Sequence, residues 1–275
     1  MERQQSSSPI PQYSLGSILL IWAAAALPMG LLGWVVAPAL APNPAQPGFE
    51  RVAVLTVGLV WQFVLVVLLL YRETGTLRWS TVRQRLWLTT PRSPKTGEPR
   101  GRLWWWLVPV MLLTFLYEMQ GRAIVNQGWA ALFPFLAEPE GFSLGAALAT
   151  PEARVQLVGA WGVYGLFLVQ ALFNTFLGEE LFFRGFLLPR MGRVFGRWDW
   201  LMNGLLFGLY HLHQPWSLLS SAISGSLLYA LPSRYFRSAW FGIIAHSGGA
   251  IFLAILLFRN SRAASDDGGC LQDGP

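Results

Sequence analysis

The residues best suited to chemistry in this sequence are two adjacent glutamates, Glu179 and Glu180, with Arg184 following inside a long apolar run. Ionisable side chains at hydrocarbon depth cost about 2.5–3.5 kcal/mol each on insertion scales, so such groups indicate a functional site. Glu180 and Arg184 are four residues apart, which places them on one helix face where they can neutralise each other. Glu179 points about 100° away around the helix and faces something else.

Histidine side chains are the candidates to form a functional site together with Glu179. The chain has three, His211, His213 and His246, and all follow the glutamates. Glu179, His211 and His246 fall on three separate apolar segments, and a carboxylate with two imidazoles can activate water. The carboxylate takes the proton, and an imidazole holds the water, binds a metal or stabilises an oxyanion. His213 lies about 200° from His211 on a helix, so we expect it outside this cluster.

The composition predicts that these groups lie in a membrane. The chain has 275 residues, of which 53% are hydrophobic and 12% charged, with a mean hydropathy of +0.43. Soluble domains carry about 25% charge, so the composition favours an all-α polytopic membrane protein. The net charge of +6 falls in short loops, which indicates contact with membrane lipids and not with nucleic acid. The single cysteine, Cys270, excludes an internal disulfide.

The apolar segments predict about seven transmembrane helices. The run around Glu179 exceeds the roughly 20 residues that one crossing needs, so an eight-span arrangement is the alternative. We expect Glu118 at the membrane interface, and residues 125–136 as an interfacial or re-entrant piece. The predicted spans are 15–36, 52–71, 103–117, 166–190, 198–213, 216–231 and 239–258.

Loop charge favours seven spans over eight. With seven, the basic segments 72–102, 190–197 and 234–237 fall on one side, as the positive-inside rule requires. This topology places the N-terminus in the cytoplasm and the C-terminus outside. We expect the membrane to be the cell membrane. The chain then divides into a polar lead-in (1–14), N-terminal membrane helices with the basic cytoplasmic loop 72–102 (15–154), a membrane core that carries the chemistry (155–258) and a polar tail (259–275).

Three short patterns carry a family resemblance. Residues 179–184 resemble the E-E-x-x-x-R motif of the CAAX-protease and bacteriocin-processing family (CPBP, or Abi) of intramembrane proteases. Phe207-x-x-x-His211 is similar to the second motif of that family, F-x-x-x-H. His246 resembles the histidine of its last motif, H-x-x-x-N. The patterns agree in order and spacing over about residues 167–258.

The resemblance implies a helical intramembrane endopeptidase that cleaves a peptide bond of a membrane-associated peptide or a lipidated protein. By motif position, Glu179 would be the general base or a metal ligand. His211 would position the water or bind metal, and His246 would stabilise the oxyanion or bind metal. The residues that would support this catalytic set are Glu180, Arg184 and Phe207.

The sequence leaves the cofactor open. The chain contains no H-E-x-x-H pattern, so a standard zincin site is excluded. A zinc or other divalent metal held by Glu179, His211 and His246 and a mechanism without any cofactor both remain consistent with the residues.

One departure from the family pattern supports an alternative function. The last motif often ends in Asn, and Ala250 stands there. Loss of an amide donor would weaken an oxyanion hole by about 3–4 kcal/mol. The alternative is therefore a non-catalytic membrane binding or immunity protein that keeps the fold. A transporter is disfavoured, because we find no internal repeat and few polar residues for a path.

Overall fold

The structure is a computed structural model that describes residues 9–41, 48–139, 142 and 161–249. Within these ranges the chain is all-α, with eight helices and no β-strand. The prediction of an all-α membrane protein is thereby confirmed. Residues 250–258 of the last predicted span, which include Ala250, lie outside the described residues, as does the tail.

We number the helices in chain order. The first four are α1 (Leu15–Leu40), α2 (Gly48–Thr74), α3 (Trp79–Arg85) and α4 (107–132). The next four are α5 (161–190), α6 (Asp199–Tyr210), α7 (218–236) and α8, described over 240–249.

Several of these helices contain π-helical turns. The π-helical stretches are Leu32–Val36 in α1, Tyr117–Gly121 in α4, Phe173–Leu177 and Leu181–Leu187 in α5, and Ser224–Ala230 in α7. Such turns occur frequently at functional sites. The two stretches in α5 lie on either side of Glu179 and Glu180.

Three helices in the described part of the chain are long and apolar enough to cross a membrane. They are Leu15–Leu40, Glu50–Thr74 and Tyr164–Arg190, with mean hydropathies of 2.1, 2.6 and 1.3. The glutamates lie within the third, so the apolar run from residue 164 onward forms one helix. The total of seven spans stays a prediction.

The structure corrects the third predicted span. Helix α4 does not end near residue 117 but continues through the polar residues to Leu132. Glu118 therefore lies mid-helix, and the prediction of a separate interfacial or re-entrant piece is wrong for residues 125–132. The physical reason is that Arg122 donates from Nε and Nη2 to the Glu118 carboxylate at 2.7 and 2.8 Å. Two opposite charges that neutralise each other allow the helix to continue.

An aromatic core holds α5 in place against its neighbours. Phe182, Phe183 and Phe186 are fully buried, and van der Waals packing of such side chains is what holds helices together in a membrane. The Phe183 ring lies 5.1 Å from the ring of Phe207 and 5.5 Å from that of Tyr210, both on α6. The packing therefore fixes the glutamates of α5 relative to the end of α6.

Candidate active site

A cavity of about 270 Å³ is lined by the three predicted catalytic residues, Glu179, His211 and His246. They come from α5, from the turn after α6 and from α8, so three elements distant in sequence converge here. The other polar side chains of the lining are Arg122, Gln170, Asn174, His213, Gln214, Ser217, Ser221 and Tyr229.

Glu180 has more partners than helix spacing predicts. Its Oε1 accepts from Arg184 Nη1 at 2.8 Å and from His246 Nδ1 at 3.1 Å. Glu180 and Arg184 are both fully buried. Glu180 therefore does two things: it neutralises Arg184 on its own helix, and it orients His246 on α8.

Arg184 joins three helices. Besides Glu180, its guanidinium donates from Nη2 to the Gly225 carbonyl in α7 at 2.9 Å. Its Cζ lies 4.3 Å from the centroid of the Phe207 ring in α6, a cation–π distance. Arg184 is therefore placed to hold α5, α6 and α7 together.

The hydrogen bonds of the two histidines determine which ring nitrogen is free. His211 Nδ1 lies 2.8 Å from the Phe207 carbonyl, which can only accept, so Nδ1 carries the proton. The same reasoning applies to His246 Nδ1 and the Glu180 carboxylate. In both neutral rings the Nε2 lone pair remains to accept a proton or bind a ligand.

Phe207 explains the spacing of the second motif. Its carbonyl, one helical turn before His211, accepts the imidazole proton. Its ring lies edge-on to His211 at 4.7 Å and to His246 at 6.2 Å between centroids. One residue thus fixes one histidine through its backbone and packs against both rings.

The prediction that His213 lies outside the cluster is wrong. Helix α6 ends at Tyr210, and His211–His213 form a 3-10 turn, so the angle per residue of an α-helix does not apply. His213 is buried and lines the same cavity. Its ring stacks on that of His211 with centroids 5.5 Å apart.

Sequence analysis also missed a support for Glu179. Gln62 is a fully buried polar residue inside the apolar helix α2, and its Nε2 donates to the Tyr210 hydroxyl at 2.6 Å. The Tyr210 hydroxyl in turn lies close enough to interact with Glu179. Because the phenol already accepts from Gln62, its own proton remains available for the carboxylate. The feature of the sequence that could have indicated this support is Gln62 itself, a polar side chain inside a long apolar segment.

Two glycines permit close packing around the glutamates. A Cβ on Gly178 would lie 2.5 Å from the Phe173 carbonyl oxygen and 2.9 Å from that of Leu59 in α2. A Cβ on Gly242 in α8 would lie 2.5 Å from Glu180 Oε2. Any larger residue at either position would displace α5 or α8, and with them the carboxylates.

The described residues contain no group of three or more His, Cys, Asp or Glu side chains that could hold a metal ion. The three side chains proposed as ligands line one cavity without forming such a group.

A comparison with protein-family models finds a match for part of the chain. Residues 160–252 match the family described as type II CAAX prenyl endopeptidase Rce1-like. This match confirms the resemblance derived from the three motifs. Searches of curated proteins and of solved structures gave no match. The apolar helices indicate an integral membrane protein, and residues 160–252 are similar to a protease family.

Proposed function

We propose that this protein is an intramembrane endopeptidase that hydrolyses a peptide bond of a membrane-associated substrate. The observation that supports it most is the convergence of Glu179, His211 and His246 on one cavity. This convergence falls within the segment that matches the Rce1-like family.

In the proposed mechanism Glu179 is the general base. It takes a proton from a water held in the cavity, and the water oxygen attacks the scissile carbonyl carbon. His211 holds that water through Nε2, since Nδ1 already donates to the Phe207 carbonyl. The proton then passes from Glu179 to the leaving amine, so the carboxylate acts as base and then as acid.

The developing oxyanion needs donors. His246 can supply one when protonated at Nε2, and Glu180, bonded to its Nδ1, would stabilise that charged form. The family Asn is replaced by Ala250, but Gln170 and Asn174 of α5 place side-chain amides at the same cavity. We propose that one of these amides takes over the donor role.

This proposed mechanism uses only the side chains of the chain itself that line the cavity. The test is metal analysis of the purified, active protein together with activity after treatment with a chelator. We expect activity to survive the chelator. Stoichiometric zinc, with activity lost on chelation and restored by zinc, would contradict this part of the proposal.

The principal test of the proposed function is cleavage of a membrane-associated peptide, either lipidated or not, by the purified full chain. We expect Glu179→Gln and His211→Ala to lower kcat/KM by about 100-fold or more, since Glu179 transfers the proton and His211 positions the attacking water. Arg83→Gln is the matched control, because Arg83 is exposed and lies outside the cavity lining. Wild-type rates in Glu179→Gln would contradict the assignment of the base.

The second candidate function, a non-catalytic membrane binding or immunity protein, is favoured by Ala250 alone. It predicts no cleavage by the wild type and a cellular phenotype that persists in Glu179→Gln. The endopeptidase predicts cleavage, and loss of the phenotype in the same variant. A substrate trap with Glu179→Gln, read by mass spectrometry, would identify what is bound in either case.

A further inference from the structure

A second cavity, of about 290 Å³, lies outside the candidate active site. Its lining includes Arg85, Arg92, Arg237 and the side chain of Trp87, and it contains no carboxylate. We call it the arginine pocket. Three guanidinium groups without an acidic residue in the same lining suit an anion, and arginine in particular suits phosphate because its planar donors match phosphate oxygens.

The backbone of the arginine pocket is strained. Trp87 and Arg237, with φ values of 51° and 48°, are the non-glycine residues with positive φ in the described part of the chain. Both line this pocket. Such conformations cost about 1–3 kcal/mol each and persist only where the surroundings enforce them. Both residues therefore lie in a cavity that none of the proposed catalytic residues lines.

Hydrogen bonds tie the two walls of the pocket together. The Ala239 amide donates to the Trp87 carbonyl at 2.9 Å, and the Ser238 hydroxyl to the Thr89 carbonyl at 2.7 Å. The Arg92 amide donates to the Phe236 carbonyl at 2.8 Å. Segments 87–92 and 236–239 are therefore one preformed unit, so a ligand would bind with little ordering cost.

The three arginines do not contribute equally. Arg85 forms an ion pair with Glu73 at 3.3 Å, which offsets its charge. Arg92 is exposed and donates from Nη1 to the Gly97 carbonyl at 3.1 Å, which leaves its other nitrogens for a ligand. Arg237 is also exposed and makes no ion pair with the described residues. Arg92 and Arg237 therefore provide most of the positive potential.

Tryptophan side chains lie close to the pocket and indicate that it faces the lipid headgroups. The Trp106 ring lies 6.2 Å from Phe236, and the Trp104 ring stacks at 6.1 Å on Phe241, so both flank the Arg237 turn. The neighbouring Trp105 is 78% exposed. Tryptophan prefers the membrane–water interface, and basic pockets between helices at that level bind anionic headgroups.

We propose that the arginine pocket binds the phosphate of an anionic phospholipid headgroup, through the guanidinium groups of Arg92 and Arg237. The bound lipid stabilises the position of the helix that carries His246. Ala239, whose amide donates to the Trp87 carbonyl in the pocket, directly precedes that helix. Arg190, at the end of α5, also donates to the Arg85 carbonyl at 3.3 Å. Both elements that carry the glutamates and His246 are thus connected to the pocket.

The experiment measures lipid binding to the full chain in mild detergent, by native mass spectrometry and by the midpoint of thermal unfolding. The probes are phosphatidylglycerol, zwitterionic phosphatidylcholine and inorganic phosphate. We expect phosphatidylglycerol alone to be retained and to raise the midpoint. In Arg92→Gln/Arg237→Gln its apparent affinity should fall about tenfold or more.

The matched control is Arg83→Gln/Arg193→Gln, which removes the same charge from exposed positions outside the pocket lining. We expect wild-type lipid binding in this control. An equal loss in both double variants would overturn the proposal in favour of general surface charge, and an equal effect of inorganic phosphate would overturn the lipid assignment. If the double variant unfolds, the same loss of phosphatidylglycerol affinity is measured in the single variant Arg92→Gln. The readout needs no cleavage, so its outcome is independent of the proposed protease activity.

Discussion

Two glutamate–arginine pairs with the same four-residue spacing lie near the cavity, and they differ in almost everything except spacing. Glu180 and Arg184 in α5 are fully buried, whereas the side chains of Glu118 and Arg122 in α4 are each 31% exposed. Glu180 also bonds to His246. Glu118 has the Tyr229 hydroxyl at 3.5 Å as its further contact.

The difference shows what spacing alone leaves undecided. A helix brings residues i and i+4 together in either case. Burial then sets the energetic consequence: a partly exposed pair contributes little, while removal of one partner from a buried pair leaves a charge that water cannot reach. We therefore expect α5 to depend on its pair and α4 to tolerate the loss of its pair.

The largest expected effect is that of Arg184→Met. It would leave the Glu180 carboxylate buried without its guanidinium, at a cost of about 3–5 kcal/mol in the free energy of unfolding. The measurement is unfolding of the full chain in mild detergent, followed by loss of the peptidase activity proposed above. A stability equal to wild type would contradict the inference that the buried pair stabilises α5.

A smaller effect is expected for Gly242→Ala. The new methyl group would meet Glu180 Oε2 at 2.5 Å, so α8 or the carboxylate must move, at a cost of about 1–3 kcal/mol. Because His246 is bonded to Glu180, we also expect kcat to fall while the protein remains folded. Gly249→Ala is the control on the same helix, since no atom of the described residues lies within 4 Å of its Cβ position. Equal behaviour of the two variants would contradict the close packing of Gly242 against Glu180.

The smallest effect is expected for Arg122→Met in α4. The pair it breaks is partly exposed, so the cost in unfolding free energy should stay below about 1 kcal/mol. Arg122 lines the cavity, and a change in KM for substrate without loss of stability would show that it acts on the ligand. A loss as large as that of Arg184→Met would remove the distinction between the two pairs.

Much of the candidate site could be predicted from local sequence because its parts are local. The Glu180–Arg184 pair follows from helix spacing, and the bond from His211 to the Phe207 carbonyl is also a four-residue contact. Long apolar runs predicted helices at the right places. The continuation of α4 past Glu118 was missed, because a charged residue was interpreted as a boundary when its partner followed one turn later.

Contacts between residues that are far apart in the sequence could not be predicted from the motifs and their spacing. The distance in sequence between Glu180 and His246 does not predict that their side chains form a hydrogen bond. Gln62 is a single polar residue in an apolar segment, so its bond to Tyr210 could not be predicted either. His213 was placed wrongly because helix α6 ends at Tyr210, where the chain tightens into a 3-10 turn.

The sequence by itself determined the all-α membrane class, the motif set and its resemblance to CAAX-type intramembrane proteases, because composition and helical periodicity are local properties. Only the tertiary structure decided that Glu180 orients His246, that His213 joins the cavity and that three arginines share a strained pocket. Each of these depends on where helices end and cross. The packing of buried side chains determines where helices end and cross, and the order of residues along one helix does not.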